Sequence, residues 1–200
     1  MTPAVTSASR MMALIVASAL LVAPALAQQA DDMLGVPGPI SFQEQDYVLS
    51  WTSRPNPDYI KQEYVPQGQT VETYSEMILI ETVVGAITPI QAAALQVQSL
   101  DARKGTDPVV NHQIMQNEAS GEVLLDFVVS DLSVDPVVVE WNAYRYAALP
   151  GSEGVMLFAV SRRGYGQDGA TQFMSGLGAL RSEAISALTA QPLPEISIAQ

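Results

Sequence analysis

Between Val109 and Ser161 the chain runs through four strand-like stretches joined by short turns, and this constrains the fold more than any other feature. The stretches are Val109–Met115, Val123–Val129, Val137–Ala147 and Val155–Ser161. Val123, Leu125, Phe127 and Val129 occupy every second position, the period of a strand with one buried face. Ala119-Ser120-Gly121 and Pro150-Gly151-Ser152-Glu153-Gly154 separate neighbours. A parallel crossover needs about a dozen residues or more, so these links predict antiparallel pairing.

Three further strands are predicted upstream. Tyr47–Trp51 and Ile60–Val65 alternate in polarity, and the turn-forming residues Arg54–Asp58 and Pro66–Gln69 bound them. Met77–Val84 is apolar apart from Glu81 and Thr82, as a central strand buried on both faces would be.

Two helices punctuate the strands. Thr88, Pro89 and Gln91 make a capping box with proline at the first helical position. Ile90, Ala93, Ala94, Val97 and Leu100 then mark one face. Arg103 and Lys104 suit the negative end of the helix dipole, and Gly105 can end the helix. A second helix is expected from an N-cap at Asp168, with Phe173, Leu177, Leu180, Ala184 and Leu188 inward and Pro192 and Pro194 as the stop. Gly176 and Gly178 inside it predict a close approach to the sheet. The order β-β-β-α-β-β-β-β-α predicts an α+β fold, an antiparallel β-sheet of about six to seven strands packed against two helices.

The N-terminal segment predicts export. Arg10 precedes an apolar run from Met11 to Ala23, and Ala25-Leu26-Ala27 forms a cleavage signal. The run is shorter than the roughly 20 residues of a membrane anchor and is broken by Pro24. The expected division is a signal peptide at 1–27, a flexible leader at 28–45, one α+β domain at 46–192 and a tail at 193–200. The chain has no cysteine, so this exported domain must rely on its apolar core. The formal charge of −12 disfavours nucleic acid and anionic lipid as partners. No stable membrane insertion is expected after cleavage.

Catalytic motifs are weak. Gly164-Tyr165-Gly166-Gln167-Asp168-Gly169 matches G-x-G-x-x-G, but the chain after it is too short for the parallel strand and acidic residue of a dinucleotide site. No cofactor is expected. His112 is the single histidine, too few ligands for a zinc site without cysteine, and no G-x-S-x-G elbow is present. Asp126, Glu140 and Glu81 read as solvent-facing acids on strands. The candidate binding residues are Tyr64, Tyr74, Tyr144 and Tyr146, with Arg162 and Arg163 beside a helix start that can hold an anion. Trp141 shares a face with Val139 and Ala143 and reads as core, whereas Tyr144 and Tyr146 share the opposite face with Glu140 and Asn142, open to solvent or to a partner.

The run Glu63-Tyr-Val-Pro-Gln-Gly-Gln-Thr-Val-Glu-Thr-Tyr-Ser-Glu-Met77 resembles a segment of small uncharacterised exported proteins of proteobacteria. The order of elements resembles the PsbP/Mog1-like α+β topology. That resemblance implies an accessory or binding role and carries over no catalytic residue. The expected function is therefore a soluble periplasmic accessory or binding protein whose partner is an envelope protein or a small ligand. Two alternatives stand beside it: an enzyme with a carboxylate/Arg site assembled in space, and a structural subunit of an envelope complex.

Overall fold

The computed structural model describes residues 30–198, so the signal peptide expected over 1–27 lies outside the described residues. The described residues form eight strands and two helices. In chain order these are β1 (Ile40–Phe42), β2 (Gln45–Asn56), β3 (Tyr59–Pro66), β4 (Glu76–Val84), α1 (Pro89–Arg103), β5 (Asn111–Gln116), β6 (Val123–Asp131), β7 (Val138–Ala148), β8 (Gly154–Tyr165) and α2 (Gly166–Ala190).

All eight strands share one sheet in the order β1-β2-β3-β4-β8-β7-β6-β5, with every neighbouring pair antiparallel. Two hairpin meanders therefore meet at the β4–β8 seam. Helix α1 carries the chain from β4, beside that seam, to β5 at the far edge. The expected α+β class holds, but the sheet has eight strands rather than six or seven. The extra strand is β1, three residues inside the expected leader, too short to show a period. Gln43 and Glu44 take positive φ in the tight turn after it, the geometry that matches the twist of a two-residue hairpin.

The leader is tied down over its described part. Asp32 accepts from the Leu34 and Val36 amides at 3.0 Å each. The fully buried Gln62 side chain accepts from the Met33 and Leu34 amides at 2.6 and 3.1 Å. Leu34 is itself fully buried. At the other end Leu193, Ile196 and Ile198 pack on the core, and the Ser197 amide donates to Leu34 O at 2.8 Å. The expected tail is thus part of the fold through residue 198.

The helices lie on opposite faces of the sheet. Ala93 and Leu100 of α1 cover Leu125, Phe127, Tyr146 and Ala159. Ala170, Ala184 and Leu188 of α2 cover Trp141, Ala143, Phe158 and Val160. Burying one such large apolar side chain contributes about 1.5–3 kcal/mol. Both faces of β4 and β8 are buried through their middles, as the apolar run at Met77 predicts.

The capping box forms as predicted: the Thr88 amide donates to Gln91 Oε1 at 2.9 Å, and the Gln91 amide to Thr88 Oγ1 at 3.4 Å. Ala93, Val97 and Leu100 of the expected α1 stripe face inward with Ala92 beside them, whereas Ile90 and Ala94 are exposed. Helix α2 begins at Gly166 rather than after Asp168, with Tyr165 as an N-cap that makes no side-chain bond. Asp168 instead sits in the first turn, where its charge favours the helix dipole. Gly176 and Gly178 do not approach the sheet; a Cβ at either would meet nothing within 4 Å. The close approach is at Gly164 on β8, where a Cβ would lie 2.7 Å from Phe173 Cβ.

Candidate functional site

Strands β7 and β8 place Glu140 directly opposite Arg163. Arg163 Nε donates to Glu140 Oε2, and the Tyr74 hydroxyl donates to the same oxygen at 2.7 Å. The guanidinium lies 4.0 Å from the centroid of the Tyr74 ring. Asn142 Nδ2 donates to the other Glu140 oxygen at 2.9 Å, and the Ser161 hydroxyl donates to Asn142 Oδ1. The Tyr165 hydroxyl donates to Tyr74 O at 2.7 Å and ties the loop after β3 to β8. Burial pushes the Tyr74 hydroxyl far above its ordinary range, and the Glu140 charge adds to this. Burial alone would lower Arg163, but Glu140 overrides it and holds the guanidinium charged.

A second ion pair stands across from this one. Arg103, the last residue of α1, donates through Nε and Nη2 to Asp107 Oδ2 at 3.2 and 3.1 Å, and through Nη2 to Ser130 O at 2.7 Å. Asp107 also accepts from the Ser130 amide at 2.7 Å, the Ser130 hydroxyl at 2.6 Å and the Val109 amide at 3.1 Å. Burial opposes its charge, yet these donors together hold the carboxyl below its usual range. The pair fastens the end of α1 to the end of β6.

Between the two pairs opens a pocket of about 680 Å³. Val129, Val134, Pro136 and Val138 form its apolar wall, and Tyr165 adds an aromatic ring. Glu72, Thr73, Arg103, Ser130, Asp131, Glu140 and Arg163 supply its polar lining. A groove of about 770 Å³ lies on the other side of the same loop, lined by Pro37, Pro39, Val48, Trp51 and Gln67–Glu72, and Glu72 is its single charged residue. Part of the Glu63–Met77 run thus walls both hollows.

The six sequence-predicted binding residues separate. Tyr74 and Arg163 come together behind and beside the pocket. Arg162 points to the opposite face, 3.5 Å from Glu76 and 2.6 Å from Gln43 Oε1. Tyr64 is fully buried on that face and donates to Val36 O at 2.6 Å, which fixes the leader. Tyr144 and Tyr146 are not on an open face, because α1 covers them. Tyr144 packs edge-on against Phe127 with ring centroids 4.9 Å apart. At the start of α2, expected to hold an anion, each arginine lies beside a carboxylate of this chain, Arg162 by Glu76 and Arg163 by Glu140. Trp141 is core, 1 % exposed, as predicted.

The strand acids are likewise not free. Asp126 is buried and receives Arg181 Nε at 2.5 Å and Nη2 at 2.7 Å. Glu81 accepts from the Tyr59 hydroxyl at 3.0 Å and lies 3.7 Å from Lys61, while its own burial raises its pKa. His112 lies 3.1 Å from Asp101. Arg103, Asp131 and Glu140 were not among the predicted binding residues, and for Glu140 the signal was register. Glu140 and Arg163 are 23 positions apart in the chain and meet only once β7 and β8 are aligned.

The glycine pattern has a packing explanation. Strand β8 is antiparallel to both neighbours, so Gly164–Gly169 sits in no parallel βαβ unit. Gly164 makes room for Phe173, and Gly166 takes φ +68° where strand turns into helix.

Fold and site together define a small α+β domain with one antiparallel sheet between two helices and a pocket framed by internal ion pairs. A family model matches residues 34–193, and the chain belongs to that uncharacterised family. No curated protein and no solved structure matches the chain. Among the described residues, no helix is long and apolar enough to cross a membrane.

Proposed function

We propose that the protein is a soluble accessory or binding protein, exported to the periplasm, that takes a small ligand in the pocket between Arg103 and Arg163. The observation that carries the reading is the pairing of the site's own polar groups. Arg163, Glu140, Tyr74 and Asn142 bind one another, and Arg103 is held by Asp107 and Ser130. Such groups are positioned beforehand and cost little to organise when a ligand arrives. The apolar wall supplies the contact area, and the volume falls in the range of about 300–1,000 Å³ typical of small-molecule sites. The export signal at Arg10–Ala27 supports the compartment, and the PsbP/Mog1-like order of elements supports an accessory role.

Native mass spectrometry of the protein isolated from its own periplasm tests this. We expect a mature chain beginning at Gln28 and a bound small-molecule adduct. Val134, an exposed residue of the wall, offers the control, because Val134→Trp fills the pocket and should abolish the adduct. A full-length cytoplasmic protein would refute the location, and an adduct indifferent to Val134→Trp would refute the site.

A further inference from the structure

The two edges of the sheet are unlike. At one edge β1 is three residues long, and acidic Glu44 and Asp46 follow it in the turn and the start of β2. The Ser41 hydroxyl donates to Asp46, and the Ser41 carbonyl accepts from Gln191 Nε2 at 3.3 Å. Shortness and charge are the usual devices that keep a sheet edge from pairing. At the other edge β5 has neither. It runs for six residues, Asn111-His112-Gln113-Ile114-Met115-Gln116, without Lys, Arg, Asp, Glu or Pro, and all but His112 are exposed. Among the described residues β6 is the one strand that pairs with it.

The ladder shows which backbone groups face outward. The Asn117 amide donates to Glu122 O at 2.8 Å, so the bonds to β6 recur at every second residue, at Met115, Gln113 and Asn111. The N–H and C=O of His112, Ile114 and Gln116 therefore point away from the sheet. The His112 amide is taken by Asn111 Oδ1 at 2.9 Å.

We infer that β5 is the docking edge for a second copy of this chain, paired antiparallel about a two-fold axis at Ile114. Ile114 then lies opposite its own copy and His112 opposite Gln116. Apolar meets apolar, polar meets polar, and no like charges are opposed. Ile114, 41 % exposed in the single chain, loses its contact with water. Electrostatics favour this edge over the rest of the surface. A chain of formal charge −12 repels its own copy wherever acids meet. The charged groups that flank β5 are instead paired within the chain: Asp101 with Lys104 at 2.6 Å, Glu122 with Arg145 at 2.9 Å, and Asp126 with Arg181. Pairing this way makes one continuous sheet of the two copies and leaves the pocket out of the interface, so the inference stands apart from the small-ligand reading.

Sedimentation velocity of the mature chain, from low to high micromolar concentration, tests this. A reversible monomer–dimer equilibrium is expected, and added salt should tighten it by screening the like-charged bodies. Ile114→Lys sets two cations against each other on the axis and should weaken the dimer about 10-fold or more, with an unchanged circular dichroism spectrum. Val48→Lys, exposed on β2 in the other half of the sheet, should leave the equilibrium unchanged. The chain has no cysteine, so Ile114→Cys and Val48→Cys each carry a single thiol. A short bismaleimide should join two copies of the first and not of the second. A monomer at every concentration, a dimer indifferent to Ile114→Lys, or equal cross-linking of both cysteine variants would overturn the inference. A monomer whose β5 pairs with a strand of another protein would overturn it too, and would give the edge to that partner.

Discussion

Two carboxylate–arginine pairs stand on opposite faces of this sheet, and they serve different ends. Asp126 and Arg181 join β6 to α2 by two bonds, and Trp141 Nε1 reaches the same carboxylate at 3.4 Å. Glu140 and Arg163 join neighbouring strands that are already hydrogen-bonded, so they dock no separate layer. The hollow beside Asp126 is about 410 Å³ and mixes polar residues, His112, Gln113 and Arg181 among them, with Phe127, Val128, Trp141 and Leu177. The one beside Glu140 is about 680 Å³ with a valine and proline wall. Similar ion chemistry thus fastens a helix in one place and frames a pocket in the other. What separates the two is whether the pair bridges layers and what surrounds it.

The largest stability effect should fall on the fastening pair. Asp126→Ala leaves Arg181 and the buried Trp141 N–H without their acceptor, and about 3 kcal/mol should be lost in urea unfolding. A loss under 0.5 kcal/mol would remove the distinction between the pairs. Gly164→Ala comes next, because its Cβ would lie 2.7 Å from Phe173 Cβ and 2.9 Å from Gly169 O; a cost of about 2 kcal/mol is expected by the same assay.

Asp107 gives the pH signature of the pocket's framework. Its folded pKa is depressed, so its contribution is complete above the unfolded value of about 3.9 and is lost as pH falls through the lower folded value. Asp107→Asn should therefore cost about 1–2 kcal/mol at pH 6, and the gap to wild type should close in melts below about pH 4. A gap that widens in acid would reverse the sign. Gly176→Ala should do the opposite of Gly164→Ala and raise stability by up to about 1 kcal/mol, since nothing lies within 4 Å of its Cβ.

Local chemistry was legible in the sequence where the signal was local. The capping box at Thr88–Gln91 names its own hydrogen bonds, and the apolar run at Met77 names a central strand. The period of Phe173, Leu177, Leu180, Ala184 and Leu188 gave the inner face of α2. Alternation placed Trp141 in the core. Long-range facts were not legible. Tyr144 and Tyr146 looked open because nothing local says that α1 crosses their face. Arg162 and Arg163 looked like a pair, yet adjacent strand positions point to opposite faces, and each found a different carboxylate. The pocket itself is built from β6, β7, β8, the end of α1 and two loops, and no window of sequence contains them together.

The pocket claim meets its most direct test in amide NMR during a titration with n-octanol. Saturable shifts centred on Thr73, Val129, Val138 and Tyr165 are predicted. Shifts centred instead on Asn111–Gln113 and Arg181, or no saturable shift at all, would contradict it.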